Sequence, residues 1–377
     1  MRLSLAPVQP SLKVPEPLTK KRTAIVHYWL VGMRGGEKVV ETLCRLVPDA
    51  DIFTLFYEPD RVSPLIRSKN VRASFLNPLR RQYRSLLPLM PLALETFDLR
   101  GYDLVISSES GPAKGVIVPS SARHICYCHT PMRYLWDLYP AYLHDFTPSA
   151  FKRAIMAPLA AYLRLWDFAS AARVDDFVAN SYNVQRRIWR TYRRQSQVIH
   201  PPVAVDRFYW SPSQDYFLIV SELVAYKRLE YAVRFCAQRG IRLKVVGDGP
   251  EFRNLKRLAG PSVEFCGRVT DIELCNLYAR CRALIVPGEE DFGMTMVEAL
   301  ASGKPVVALG CGGSLEIVEP GCGLLYREPS PDSLQGALRR LDREEFPARN
   351  LQASAQKFSE TEFNTRMRLV LESCAGV

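Results

Sequence analysis

Several features are missing from this chain of 377 residues, and each absence narrows what it can do. No run of about eighteen consecutive apolar residues occurs, so a membrane-spanning helix is not expected. Ten cysteines are present (Cys44, Cys126, Cys128, Cys236, Cys266, Cys275, Cys281, Cys311, Cys322 and Cys374), but none stands in a CxxC pair. Scattered through apolar segments, they predict reduced, buried thiols of a cytoplasmic protein rather than disulfides or a zinc site. There is no GxGxxG fingerprint and no P-loop, so neither a dinucleotide-dependent dehydrogenase nor a P-loop NTPase is supported. No metal-ligating cluster shows in the spacing, and no metal is expected.

What is present describes a soluble, two-domain protein. Hydrophobic residues make up 47% and charged residues 24%, a globular composition, and the length exceeds one comfortable core. The net charge of +11 predicts anionic partners: phosphorylated ligands, an anionic membrane surface or nucleic acid. No nucleic-acid-binding module accompanies the charge, so nucleic acid is not expected. Residues 1–22 are interrupted by prolines, lack a continuous apolar core and read as a disordered leader rather than a signal peptide.

From residue 23 the chain alternates strands and helices, the rhythm of a parallel sheet. Thr23–Leu30 (TAIVHYWL) predicts a buried strand running into Gly32, Gly35 and Gly36 and then a helix with Val39, Val40, Leu43 and Leu46 at helical spacing. Strand, glycine loop and helix present backbone N–H groups to an anion. Further strands are expected at 50–56 and 102–107, at 123–128 with His129 at its carboxyl end, and at 174–181. An extended hinge follows at 198–203. Two segments, 72–97 and 151–173, interleave basic with aromatic and aliphatic residues (Arg72, Arg80, Arg81 and Arg84 in one; Lys152, Arg153, Arg164 and Arg173 in the other). They suit either amphipathic helices covering the sheet or contact with an anionic bilayer.

The rhythm restarts at 216–221, with strands also at 242–246, 263–266, 283–286 and 305–309. Lys227 and Arg228 begin a helix just after a strand, where cations are locally unfavourable unless an anion is bound. Glu290–Pro305 (EDFGMTMVEALASGKP) is a glycine turn into a helix, with Glu290 and Glu298 as paired carboxylates. Domains are expected at 23–205 and 206–358, with 359–377 a helix crossing back to the first.

These motifs in this order (VGMRGGEKVVETL, YCHTPMRYLWD, VIHPPVAVDRF, LVAYKR, VVGDGP, EFCGRVTD, EDFGMTMVEALASGKPVVA and GGSLEIV) resemble retaining family-four glycosyltransferases of GT-B fold. The CHTPMRYLWD stretch is similar to that of bacterial polysaccharide mannosyltransferases. The resemblance implies an α/β architecture of two doubly wound Rossmann-like domains facing across a cleft. It implies metal-independent transfer of mannose from GDP-mannose to a lipid-linked or polysaccharide acceptor at the inner membrane face. A UDP-sugar donor, a sugar-nucleotide 2-epimerase and a non-catalytic nucleotide-sugar-binding partner are the alternatives. By the same resemblance, Glu290 and His129 contact the donor sugar. Phe292, Gly293 and Met294 line the sugar and diphosphate, and Glu298 accepts hydrogen bonds from the ribose. Lys227 and Arg228 neutralise the diphosphate, Gly35 and Gly36 let the first domain's loop approach the phosphates or the acceptor closely, and Gly267 and Arg268 flank the base. Two positions depart from the pattern: Glu222, where the family usually has an arginine, and Tyr28, where an acidic residue is common.

Overall fold

The computed structural model describes residues 21–109, 111–144 and 149–373; residues 1–20 of the expected leader, and Cys374, lie outside the described residues. Two parallel sheets organise the chain. The first has seven strands: β1 (Thr23–Leu30), β2 (Asp51–Tyr57), β3 (Val71–Ala73), β4 (Leu104–Glu109), β5 (Arg123–Cys128), β6 (Asp176–Ala179) and β7 (Ser196–Val198). Their spatial order is β3-β2-β1-β4-β5-β6-β7. The second has six: β8 (Phe217–Val220), β9 (Leu243–Val246), β10 (Val263–Gly267), β11 (Leu284–Val286), β12 (Val306–Leu309) and β13 (Gly323–Tyr326), ordered β10-β9-β8-β11-β12-β13. In each sheet the order reverses beside the first strand in sequence, the doubly wound pattern whose switch point opens a crevice at the carboxyl ends of the strands.

The local reasons are plain in β1. It is covered on both faces, so it reads as a continuous apolar run, and Ile25 pairs in register with Ile52 on one side and Ile106 on the other. Helix α1 (Gly35–Leu46) packs Val39, Val40, Leu43 and Leu46 beneath it. In chain order the other helices that position the site are α2 (Ala150–Ser170), α3 (Tyr182–Tyr192), α4 (Leu229–Arg239), α5 (Met294–Ala301) and α6 (Glu360–Ser373). α6 contributes Phe363, Met367 and Leu371 to the core of the first sheet, not the second. Each of these buried side chains contributes roughly 2 kcal/mol by burial, so the chain's last described helix ties the second domain back to the first.

Three short strands, β3, β7 and β13, went unseen in the sequence. Gly323–Tyr326 sits among Gly321, Cys322 and Gly323, which look like a turn, yet it pairs with Val306–Leu309 along its whole length. The expected hinge at 198–203 begins on edge strand β7 and ends at Val203, which bridges Ser359. Lys227 does not start a helix. It ends a short 3-10 turn (Ala225–Lys227), and Arg228 holds a left-handed backbone (φ 51°) before α4 begins. Residues 77–89 form a 3-10 segment broken at Gln82 that leads into the helix Met90–Glu95, rather than one amphipathic helix.

Nine described cysteines are free thiols, seven of them buried, while Cys266 and Cys311 are half-buried. Among the described residues one set brings metal-ligating atoms within 4.8 Å of one another, Glu109, Cys126 and Cys128, a cluster invisible in the spacing. The ammonium of buried Lys114 lies 3.6 Å from Glu109 and donates to Asp167. The positive charge answering these carboxylates is therefore a lysine of the chain itself. No described helix is long and apolar enough to cross a membrane.

Candidate functional site

The carboxyl ends of the two sheets open onto a shared cleft of about 960 Å³. From the first domain it is lined by the loop after β1, including Arg34, Gly35 and Gly36, and by His129 just past β5. From the second it receives Glu222 and Lys227 after β8, Gly247 and Asp248 after β9, and Glu290 to Met294 after β11.

The two walls come close. A Cβ on Gly35 would sit 3.2 Å from Met294 Sδ across the cleft; glycine is what lets the loop approach the N-terminus of α5. Gly293 opens that helix at φ 106°, and a Cβ there would lie 2.1 Å from Met296 Cε. The left-handed backbone disfavours a side chain there, and one would also have to displace the Met296 terminal methyl; Gly293, Met294 and Thr295 at the start of α5 line the cavity.

Lys227 Nζ lies 2.5 Å from Glu290 Oε2. Burial alone would push this ammonium down, but Glu290, Tyr226 and Asp291 outweigh it and hold the lysine above its ordinary value. The cation and the carboxylate expected to act separately thus form one pair at the centre of the cleft.

The carboxylates on either side of Glu290 are tied to the first domain. Arg133 donates to Glu289 (2.8 Å) and Asp291 (3.4 Å), and Arg187 on α3 donates to the same two residues, at 2.5 Å to Glu289. The Ser181 hydroxyl donates to the Asp291 carbonyl at 2.7 Å. Farther along, Glu316 accepts the N–H groups of Tyr182 and Asn183 at the start of α3. Glu290 therefore stands between two anchored neighbours. Neither Arg133 nor Arg187 was foreseen as a site residue. Arg133 lies in the quoted CHTPMRYLWD stretch, where it also pairs with Asp137 at 3.1 Å, but Glu289 and Asp291 are more than 150 positions away, and no local spacing signals that.

His129 Nε2 is 2.9 Å from Ser108 Oγ, and burial lowers its pKa to about 4, so it is neutral at pH 7. Beside it lies a histidine not anticipated in the sequence. His27 is fully buried, its Nδ1 is 2.7 Å from the Ser108 carbonyl, and burial with His129 nearby lowers its pKa to about 3. Both rings converge beneath Gly36, whose Cβ would meet His27 Cε1 at 3.4 Å and His129 Nε2 at 3.8 Å. The signal that could have found His27 is a histidine within an otherwise apolar buried strand (TAIVHYWL).

Three expected residues do not line the cleft. Glu298 is buried, accepts from Tyr278 Oη at 2.8 Å and pairs with Lys38 of α1 at 3.7 Å, so its carboxylate is already engaged between the domains. Arg228 is exposed, and its left-handed backbone turns the chain into α4. Gly267 acts one step removed: its carbonyl accepts the N–H of cleft-lining Gly247 at 2.8 Å. Arg268 does line the cleft, 3.7 Å from Asp248. Of the departures, Tyr28 lines the cleft with its ring against those of His27 and Trp29. Glu222 also faces the cavity, where Arg34 (3.4 Å) and Arg84 (3.1 Å) of the first domain hold it.

Comparison with known proteins matches residues 33–207 to the family described as Glycosyltransferase Family 4, and residues 208–358 to Glycosyl transferases group 1. An uncharacterized glycosyltransferase of Methanocaldococcus jannaschii is 26% identical over 192 residues, 49% of this chain and 55% of that protein. A GDP-mannose-dependent alpha-mannosyltransferase of Corynebacterium glutamicum is 33% identical over 120 residues, 31% of this chain and 29% of that protein. The matched stretches thus span about half or less of these relatives. In overall shape, Anabaena HepE crystallised with UDP and glucose superposes with a TM-score of 0.67 at 17% identity, covering 94% of this chain and 100% of that one. The sucrose-phosphate synthase of Thermosynechococcus elongatus gives 0.67 at 16% identity, covering 94% and 99%.

Proposed function

With its two halves matched in turn by Glycosyltransferase Family 4 and Glycosyl transferases group 1, the chain belongs to the family-four glycosyltransferases of GT-B fold, and we propose that it transfers mannose from GDP-mannose, with retention of the anomeric configuration, to a lipid-linked or polysaccharide acceptor. The observation that carries the reading is the Lys227–Glu290 pair facing the glycine loop across the cleft. In transfer, the bond between the sugar's anomeric carbon and the diphosphate oxygen breaks while an acceptor hydroxyl oxygen bonds to that carbon. The hydroxyl proton passes to the departing phosphate, leaving a glycoside and GDP. Negative charge grows on the diphosphate as the bond breaks. Lys227 and the N–H groups at the start of α5 are preorganised to receive it, and removing one such donor typically costs about 3 kcal/mol of barrier. Glu290 and the neutral His129 hold sugar hydroxyls beside the reacting carbon. The relatives named GDP-mannose-dependent alpha-mannosyltransferase support the choice of donor.

On this reading the acceptor end of the enzyme rests against an anionic bilayer. Between Asp60 and Glu95 the chain carries six arginines and one lysine and no carboxylate, while Phe75, Leu79, Leu89 and Leu92 stand exposed. α2, tied to this segment where Trp166 donates to Glu95 at 2.9 Å, exposes Ile155, Tyr162, Leu165 and Phe168. Exposed apolar residues among cations suit a surface of acyl chains and anionic headgroups.

The test is transfer of radiolabel from GDP-mannose to an extract of lipid-linked saccharides, with the product's anomeric configuration read by NMR. Label in the lipid fraction as the α-anomer is expected. Label transferred only from UDP-sugars would replace the donor assignment, and a β-linked product would overturn retention.

A further inference from the structure

The carboxylate of Glu222 stands in a cleft built for an anion, and what it does there is visible in its partners. It reaches Arg34 Nη1 through Oε2 (3.4 Å) and Arg84 Nη2 through Oε1 (3.1 Å), so one acidic side chain of the second domain holds two guanidinium groups of the first. Arg34 immediately precedes Gly35 and Gly36, and its backbone N–H donates to Glu37 at 3.1 Å, which fixes where the side chain starts. Arg34, Arg84 and Glu222 all line the same cavity as Lys227.

We propose that Arg34 and Arg84 bind the diphosphate of the nucleotide donor, and that Glu222 is an internal stand-in that occupies them until the donor arrives. This rests on the donor reading above and adds residues to it. Two arguments carry it. The bridges are weak: all three side chains are a third or more exposed, at 46%, 56% and 33%, and ion pairs of that exposure contribute little net stability. The incoming ligand is the better partner, because a diphosphate brings more charge than one carboxylate and offers each guanidinium two oxygens in the geometry its fork prefers. The exchange neutralises the diphosphate with first-domain cations while Lys227, paired with Glu290, supplies one from the second. Glu222, released, is a negative charge left near the bound diphosphate and opposes tight retention of the product nucleotide.

Isothermal titration of the full chain with GDP and with guanosine tests this, repeated with UDP and uridine. Glu222→Gln is expected to tighten nucleoside diphosphate binding about fivefold, and Arg84→Gln to weaken it about fivefold, both with the bare nucleoside unchanged. Unchanged or weaker diphosphate binding in Glu222→Gln overturns the proposal. So does an equal change for nucleoside and diphosphate, which would mark Glu222 as a domain-closing contact only. If the unaltered chain binds neither GDP nor UDP, the donor reading fails first, and the two failures are told apart.

Discussion

Lys227 Nζ and Glu290 Oε2 stand 2.5 Å apart in the cleft, and the carboxylate helps hold the buried lysine in its charged form. In the proposed reaction Glu290 grips the sugar and Lys227 the leaving diphosphate. Glu290→Gln should therefore lower kcat at least about a hundredfold while leaving GDP affinity within about threefold of normal or tighter, because Lys227 loses its internal partner. Steady-state kinetics with parallel calorimetry check this, and near-normal turnover would refute the role of Glu290.

The arginine clasp around Glu289 and Asp291 makes a second prediction. Arg187 is mostly buried (14% exposed) and faces both carboxylates, together with Arg133. Arg187→Gln leaves carboxylates without one of their two cations, a loss of about 2 kcal/mol once the partial exposure of Glu289 and Asp291 is allowed for. Urea unfolding should show that loss, and small-angle scattering should show a larger radius of gyration as the domains part. Unchanged scattering would mean the clasp does not hold the cleft closed.

Acid should reveal the buried histidine. His27 has a folded-state pKa of about 3 against 6.5 unfolded, so below pH 6.5 the unfolded chain binds a proton the folded one refuses. Its contribution is fully present above pH 6.5 and is lost as pH falls towards 3, amounting to about 2 kcal/mol at pH 5. Glu37 and Glu109, each raised to about 7 by burial, act in the opposite direction between pH 7 and 4.5. Comparison with a His27→Gln variant cancels their effect: its stability should fall less steeply than that of the unaltered chain between pH 6.5 and 4. Parallel slopes would show that His27 is not the titrating group.

Much of this architecture was legible in the sequence because parallel strands covered on both faces are continuous apolar runs. TAIVHYWL and the strand before Glu290 announce themselves in that way, and the glycine turns after them mark the carboxyl ends where the cleft opens. What escaped depends on distance along the chain. The partners of Arg133, Arg187 and Glu222 across the cleft are more than a hundred residues away, so their charges looked like ordinary surface residues. Glu298 matched a ribose-binding pattern, and its pairing with Lys38 of the first domain, beside the nearer Tyr278, is likewise invisible along the chain. The edge strands β3, β7 and β13 are three or four residues long, too short to show a period.

The bilayer assignment predicts salt-sensitive binding to vesicles of phosphatidylglycerol and phosphatidylcholine. Arg80→Glu together with Arg81→Glu should weaken binding at least about thirtyfold at low salt, from about 1 kcal/mol for each removed cation. Equal binding by the variant, or none by the unaltered chain at low salt, would dispose of the membrane contact.

Donor binding in the cleft is tested most directly by a thermal shift of the full chain against GDP, UDP, GDP-mannose and UDP-glucose. A raised Tm with GDP and GDP-mannose and none with UDP-glucose is the expected result, while no shift with any nucleotide would contradict the assignment.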